Sequence, residues 1–138
     1  MQILGLDVGD RTVGIAASDA LLLTAQGVET IRRKSLKQDL YRLQELMKQY
    51  ETDQLVVGLP KNMDGSQGER CTIVRGFAAE ILKAMPDTKI VFWDERLSTV
   101  AASRSLIAAD VSRAKRKKVI DKMAAVFILQ GYLDSIRS

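Results

Sequence analysis

Apolar residues fall along this chain in two patterns, short unbroken runs and longer stretches with helical spacing. The unbroken runs predict five strands, over residues 2–8, 12–18, 25–30, 55–58 and 89–93. The helical spacing predicts four helices, over residues 36–50, 68–84, 99–109 and 117–134. The polar and basic segment from Asp110 to Lys118 is either a mobile loop or the frayed start of the last helix. Three strands followed by alternating helices and strands favour an α/β fold, a mixed sheet flanked by helices whose later strands are parallel.

The length and composition of the chain indicate one domain over residues 1–138. A hydrophobic content of 46% with 2 prolines and 9 glycines is typical of a globular protein, and no apolar run reaches the roughly 20 residues that a membrane helix needs. The chain opens on a strand-like run rather than a signal peptide, and its one cysteine, Cys71, excludes an internal disulfide. We therefore expect a cytoplasmic protein without a membrane partner.

Acidic residues stand at the ends of two predicted strands. Asp7 lies inside the first apolar run, and Asp94 and Glu95 follow the last one. An ionised carboxylate in a hydrophobic strand is costly unless a cation or strong donors meet it. Ligands gather at the carboxyl ends of the strands in such sheets, so Asp7, Glu95 and Asp121 could together hold Mg²⁺, with Asp94 as a fourth candidate. Divalent cations activate water and stabilise the leaving oxygen of a phosphodiester, which suits a chain that has no histidine.

Each acid taken alone has a simpler interpretation. Asp7 could be a turn residue, and Asp94 and Glu95 could be solvated charges before a helix. Asp121 could form a surface salt bridge with a lysine of the preceding turn. The three acids together are more specific than any one of them.

Basic residues lie close to these acids in the sequence. From Arg113 to Lys122 the chain has six basic residues and one acid, within a formal net charge of +4. Phosphate contacts provide most of the sequence-independent affinity for nucleic acid. We therefore expect this run to bind substrate, with a solvated basic face as the alternative; its members are Arg113, Lys115, Arg116, Lys117 and Lys118. A second basic group consists of Arg32, Arg33 and Lys34.

Three further polar residues near the predicted sheet edge are candidates for nucleic-acid contacts. Arg96 could bind phosphate through two parallel hydrogen bonds, orient Glu95 or pair with Asp94. Lys61 and Asn62, in the loop after the fourth strand, could touch a phosphate or a sugar, or could simply form a turn.

Four segments of the chain resemble the YqgF/RuvX family, in the right order and spacing over nearly the whole length. They are residues 3–9, 57–65, 93–99 and 117–125, which read ILGLDVG, VGLPKNMDG, WDERLST and KKVIDKMAA. The second and third segments are specific, whereas the first is weak by itself. Members of this family are named pre-16S rRNA nucleases and were formerly named Holliday junction resolvases.

The resemblance implies a ribonuclease H-like fold with a mixed five-stranded sheet and flanking helices. It implies that Asp7, Glu95 and Asp121 form the acidic triad that binds Mg²⁺ or Mn²⁺, and that the protein matures the 5′ end of small-subunit ribosomal RNA. Asp10 stands where the family usually has Thr after Gly9. This extra acid could repel phosphate or add a metal contact.

Two classes of function follow from the residues and the resemblance. The first is a metal-dependent endonuclease that acts on structured RNA or on four-way DNA junctions. The second is a non-catalytic RNA-binding factor of ribosome assembly or transcription. The acids favour the nuclease, because a pure phosphate binder has no use for three clustered negative charges. Junction cleavage would favour a symmetric dimer, but the sequence leaves a monomer and a homodimer open.

Overall fold

The computed structural model describes residues 2–62, 64–97 and 113–137, and for residues 97 and 113–121 it describes the backbone alone. Its strands are β1 (Leu4–Val8), β2 (Thr12–Ser18), β3 (Ala25–Arg32), β4 (Gln54–Leu59) and β5 (Lys89–Asp94). Its helices are α1 (Leu36–Gln49), α2 (Glu69–Ala84) and α3 (Arg113–Arg137), and a 3₁₀ turn covers Glu95–Leu97. The five predicted strands and the first two predicted helices are confirmed to within about two residues at each end. The helix predicted over residues 99–109 lies outside the described residues.

The last helix is longer than its apolar spacing predicted. It begins at Arg113 rather than near residue 117, so the basic segment forms its first turns. Arginine, lysine and alanine are all good helix formers, and they continue the helix where apolar periodicity gives no signal. Of the two alternatives for residues 113–118, the helical start is therefore correct.

The five strands form one mixed sheet in the order β3-β2-β1-β4-β5. The pairs β1–β2 and β2–β3 are antiparallel, whereas β1–β4 and β4–β5 are parallel. This topology confirms the mixed sheet with parallel later strands. The carboxyl ends of β1, β4 and β5 meet at one edge of the sheet, where β2 begins and β3 ends. We call this edge the carboxyl edge.

Helices cover both faces of the sheet. Side chains of α1 and α2 pack with one face in a cluster that contains Leu6, Leu46 and Phe77. On the other face α3 packs through a second cluster that contains Val56 and Ile128. Because both faces are covered, β1 is buried along its whole length.

A glycine lets α3 lie close to the centre of the sheet. A Cβ atom at Gly5 would lie 2.7 Å from Cβ of Leu129 and 3.1 Å from the carbonyl oxygen of Ala125. Real Cβ atoms do not approach at the shorter distance, so only glycine allows this contact. Within the described part of the chain, no helix combines the length and the apolar character that crossing a membrane requires.

Candidate metal and nucleic-acid site

Asp7 lies in β1 on the sheet face that carries α3. Successive side chains of a strand point to opposite faces of the sheet, so Asp7 lies on the face opposite to Leu6. This is the face of Gly5, which contacts α3. Asp7 is only 6% exposed. Its partner on β2 is Gly14, and the next step of the β1–β4 register places Gly58 on its other side. The carboxylate is therefore flanked on both neighbouring strands by residues without side chains, and we call this part of the sheet face, between Gly14 and Gly58, the recess.

Glu95 meets the same recess from the end of β5. It is 9% exposed, and its carboxyl carbon lies 3.4 Å from the position that a Cβ at Gly58 would occupy. Neighbouring strands are ~4.8 Å apart, so this carbon lies within roughly 8 Å of Cβ of Asp7. Two buried carboxylates thus approach each other across Gly58. The structure thus brings these two acids near each other, and their role as metal ligands stays a prediction.

The third predicted acid, Asp121, belongs to α3, and its side chain lies outside the described part of the chain. It stands three, four and seven residues before Ala124, Ala125 and Ile128, which are all buried against the sheet. The helical period therefore places position 121 on the sheet-facing stripe of α3. Among the side chains that the structure describes, no group of three acids or thiols could hold a metal ion, so the triad stays a prediction.

Asp94, the fourth candidate acid, is bound by Arg96 instead. Nε of Arg96 lies 3.1 Å from both carboxylate oxygens of Asp94, and Nη2 lies 2.7 Å from Oδ2. The backbone N–H of Arg96 also donates to Oδ1 at 2.9 Å. The side-chain hydrogen bonds from Arg96 are the main reason that the pKa of Asp94 is lowered. Of the roles proposed for Arg96, the described contacts show its pairing with Asp94.

The loop after β4 closes on itself through Asn62. Its side-chain Nδ2 donates to Oγ of Ser66 at 3.0 Å, and its backbone N–H donates to the Ser66 carbonyl at 2.9 Å. Gly65, with φ of +89°, completes the turn, and Nη1 of Arg96 lies 3.4 Å from where its Cβ would be. Asn62 therefore has the structural role of a turn residue. Lys61 is half-buried. Its positive charge also lowers the pKa of Asp94, but less than the hydrogen bonds from Arg96 do.

The predicted substrate-binding run occupies the first two turns of α3. Arg113, Lys115, Arg116, Lys117 and Lys118 are helical, and their side chains lie outside the described part of the chain. Their contact with nucleic acid stays a prediction.

Sequence reasoning missed the role of Arg33, which it placed in a basic group. Nη1 of Arg33 donates to the carbonyl of Gly9 at 2.8 Å, and Nε lies 3.2 Å from Oδ2 of the buried Asp39. The guanidinium also lies 4.9 Å from the centre of the Phe77 ring. Arg33 thus fixes the turn that follows the Asp7 strand. A signal for this inward position is the strand period, which puts Arg33 on the same face as the buried Ile31.

A sheet of order β3-β2-β1-β4-β5, covered by helices on both faces, defines an α/β protein of the ribonuclease H-like class. Solved structures share this fold. RuvC of Thermus thermophilus in complex with a Holliday junction matches with a TM-score of 0.64 at 12% identity, over 99% of this chain and 96% of that chain. The fowlpox virus resolvase in complex with Holliday junction DNA matches with a TM-score of 0.56 at 12% identity, over the whole of both chains. At such identities the likeness concerns the fold alone.

The chain belongs to the RuvX family, whose model, described as Holliday junction resolvase, matches residues 1–135. A protein of Desulfitobacterium hafniense is 59% identical over 137 residues, which cover 99% of this chain and 94% of that protein. A protein of Clostridium tetani is 54% identical over 136 residues, which cover 99% of this chain and 98% of that protein. Both bear the name "putative pre-16S rRNA nuclease". The resemblance of the four segments to this family is confirmed.

Proposed function

We propose that this protein is a divalent-metal-dependent endonuclease that processes the 5′ end of pre-16S rRNA in the cytoplasm. The names of its relatives and the description of its family both refer to nucleases that act on RNA or on DNA junctions. One observation carries the proposal. Two buried carboxylates, of Asp7 and Glu95, face a recess whose sides at Gly14 and Gly58 lack side chains.

Asp7, Glu95 and Asp121 would hold Mg²⁺ or Mn²⁺ in this recess. Carboxylate oxygens are the ligands that both cations prefer. Glycine at position 58 lets Glu95 lie close to β4, since a Cβ there would be 3.4 Å from the carboxyl carbon of Glu95. The residues therefore fit such a cation, which would activate water and stabilise the leaving oxygen of a phosphodiester.

The path of α3 supports Asp121 as the third acid. Ile128 packs at Gly58 on β4, and Lys122 packs at Gly27 on β3, so α3 crosses the sheet from β4 towards β3. Position 121 lies seven residues before Ile128, which is about 10 Å along a helix at ~1.5 Å per residue. That length is about two strand spacings. From Ile128 on β4 it takes the helix backbone over β1 and β2, the strands that carry Asp7 and its partner Gly14.

Basic side chains would position the substrate at the carboxyl edge. Arg96 is held there by Asp94 and stands beside the loop that contains Lys61. The run from Arg113 to Lys118 would add phosphate contacts from α3. These cations would offset the charge of a phosphodiester that enters the acidic recess.

The alternative is an RNA-binding factor without catalysis. A site that binds only phosphate is weakened by buried negative charge beside it, because like charges repel most strongly where water is excluded. Asp7 and Glu95 are both buried in one recess, so the geometry favours the nuclease.

Cleavage of defined substrates by purified protein tests the proposal. A 5′-extended 16S precursor RNA and a four-way DNA junction would each be incubated with Mn²⁺, with Mg²⁺ and with EDTA. The variants are Asp7→Asn and Glu95→Gln, and the matched control is Asp87→Asn, which changes an exposed acid in the turn before β5. Gel filtration of the active sample would distinguish a monomer from a homodimer.

We expect cleavage of the RNA that requires a divalent cation, disappears in both site variants and persists in the control. Tight RNA binding without cleavage, unaffected by EDTA and by Asp7→Asn, would instead support the binding factor. Cleavage of the junction alone would replace the proposed substrate with DNA. Activity that survives both site variants would contradict the assignment of the acids.

A further inference from the structure

The second basic group of the sequence separates into two parts when the chain folds. Arg33 turns inward to Asp39 and to the carbonyl of Gly9. Its neighbours Arg32 and Lys34 are exposed. The group therefore has one structural member and two members that face solvent.

A third exposed cation lies beside these two. The carbonyl of Arg11, in the turn between β1 and β2, accepts a hydrogen bond from the backbone N–H of Arg33 at 2.8 Å. The next residue, Thr12, pairs with Arg32 across β2 and β3. Among the side chains that the structure describes, no acid forms an ion pair with Arg11, Arg32 or Lys34. Their charges are available to an anion from solution.

Strand register places Arg32 beside the acidic recess and on the same side of the sheet. Asp7 is opposite Gly14, Gly14 is opposite Thr30, and Arg32 lies two residues beyond Thr30 on the same face. Two strand spacings across and two residues along give ~12 Å between the Cα atoms of Asp7 and Arg32. A nucleic-acid strand that passes the carboxylates would reach Arg32 within a few nucleotides, at ~3.4 Å of helix axis per nucleotide.

We propose that Arg11, Arg32 and Lys34 form a second contact for the phosphodiester backbone, where the substrate strand leaves the acidic recess past β3. This inference rests on the proposed function and extends it to the substrate's path. Lys61 follows β4 and Arg96 follows β5, on the side of Asp7 away from β3, so cations lie on both sides of Asp7 along the carboxyl edge. Point charges on flexible side chains recognise phosphate rather than base sequence.

Salt dependence of RNA binding tests the contact. The variant changes Arg11, Arg32 and Lys34 to Gln. The matched control changes Lys48, Lys83 and Lys89 to Gln, which alters the net charge equally at the opposite edge of the sheet, where α1 and α2 end and β5 begins. Binding of the 5′-extended 16S precursor RNA would be measured in EDTA from 0.05 to 0.3 M salt. A third variant, with Arg11 and Arg32 changed to Lys, keeps the charge.

The slope of log affinity against log salt concentration should become less negative by about 2–3 in the cluster variant. Each lost phosphate contact changes this slope by about 0.7–0.9. The change in the cluster variant corresponds to roughly 100- to 1000-fold weaker binding at 0.1 M salt when affinities converge at 1 M. The control and the lysine variant should stay close to wild type. Equal slopes for the cluster variant and the control would overturn the inference. Binding is measured in EDTA and does not depend on cleavage. Failure of the wild-type protein to cleave RNA would overturn the proposed function, whereas equal salt slopes would overturn only the second contact.

Discussion

Replacement of Gly58 by alanine should disturb the packing that holds the two carboxylates together. Gly58 lies between Asp7 and Glu95 and beneath α3. A Cβ at this position would lie 2.3 Å from Cδ1 and 2.9 Å from Cγ1 of Ile128, and 3.4 Å from the carboxyl carbon of Glu95. Ile128 is fully buried, so it cannot move aside into solvent.

The size of the effect follows from this overlap. Insertion of a carbon atom into a packed core typically costs about 1–3 kcal/mol. For a domain of this size, 1 kcal/mol lowers the Tm by about 4 °C, so the Tm of Gly58→Ala should fall by about 4–12 °C. The contact with Glu95 is an ordinary van der Waals distance, so most of the loss should come from Ile128.

A double-mutant cycle locates the cause. Ile128→Val removes Cδ1, the atom with the worst overlap, and alone should cost about 1 kcal/mol. The double variant should be no less stable than Gly58→Ala, which means a favourable coupling of about 1 kcal/mol. Gly76→Ala is the matched control, because nothing lies within 4 Å of a Cβ at this helical position, and it should stabilise the protein by about 0.5–1 kcal/mol.

Urea unfolding of the four variants and wild type, followed by circular dichroism, measures these free energies. Additive losses within about 0.5 kcal/mol in the double variant would show that Ile128 does not oppose the new methyl group. A Gly58→Ala protein as stable as wild type would refute the close approach of α3 to β4.

Three other predictions concern parts of the fold near the carboxyl edge. Asp39→Ala should lower the free energy of unfolding in urea by about 2–3 kcal/mol, since it leaves the partly exposed Arg33 without its buried partner; no loss would contradict that pairing. Ser35→Ala should cost about 1 kcal/mol in the same assay, because the Ser35 side chain caps the first turn of α1; a stability equal to wild type would exclude that cap. The lowered pKa of Asp94 means that its pairing with Arg96 stabilises the fold above the ordinary value of 3.8 and is lost as the pH falls through the folded value. The stability advantage of wild type over Arg96→Gln should therefore be constant from pH 5 to 8 and shrink below about pH 4, whereas an unchanged advantage at pH 3 would reject the pairing.

The strands could be predicted from the sequence because burial on both sides leaves a continuous apolar run. Leu55, Val56 and Val57 show this, as do Leu4 and Leu6 around the central strand. Asp7 was recognisable as a candidate site residue by the same logic, because a charge inside such a run requires a partner. Local patterns of this kind need no knowledge of which strands are neighbours.

Features that depend on strand neighbours could not be predicted in this way. The glycines on either side of Asp7 are far apart in the sequence, at positions 14 and 58, and only the register brings them together. The two arginines at 32 and 33 look alike in the sequence, yet one faces solvent and the other binds Asp39. The strand period separates the two, but the side-chain partners of Arg33 come from α1 and α2, which local composition does not reveal.

Anomalous diffraction from crystals soaked in Mn²⁺ tests the metal site most directly. We expect a manganese peak between the carboxylates of Asp7 and Glu95, with oxygens of both about 2.1 Å away and a carboxylate from position 121 of α3 close by. The peak should be absent from crystals of Asp7→Asn soaked in the same way. Absence of a peak at a Mn²⁺ concentration that supports cleavage would contradict the proposed metal site, and so would a peak that stays in place in Asp7→Asn.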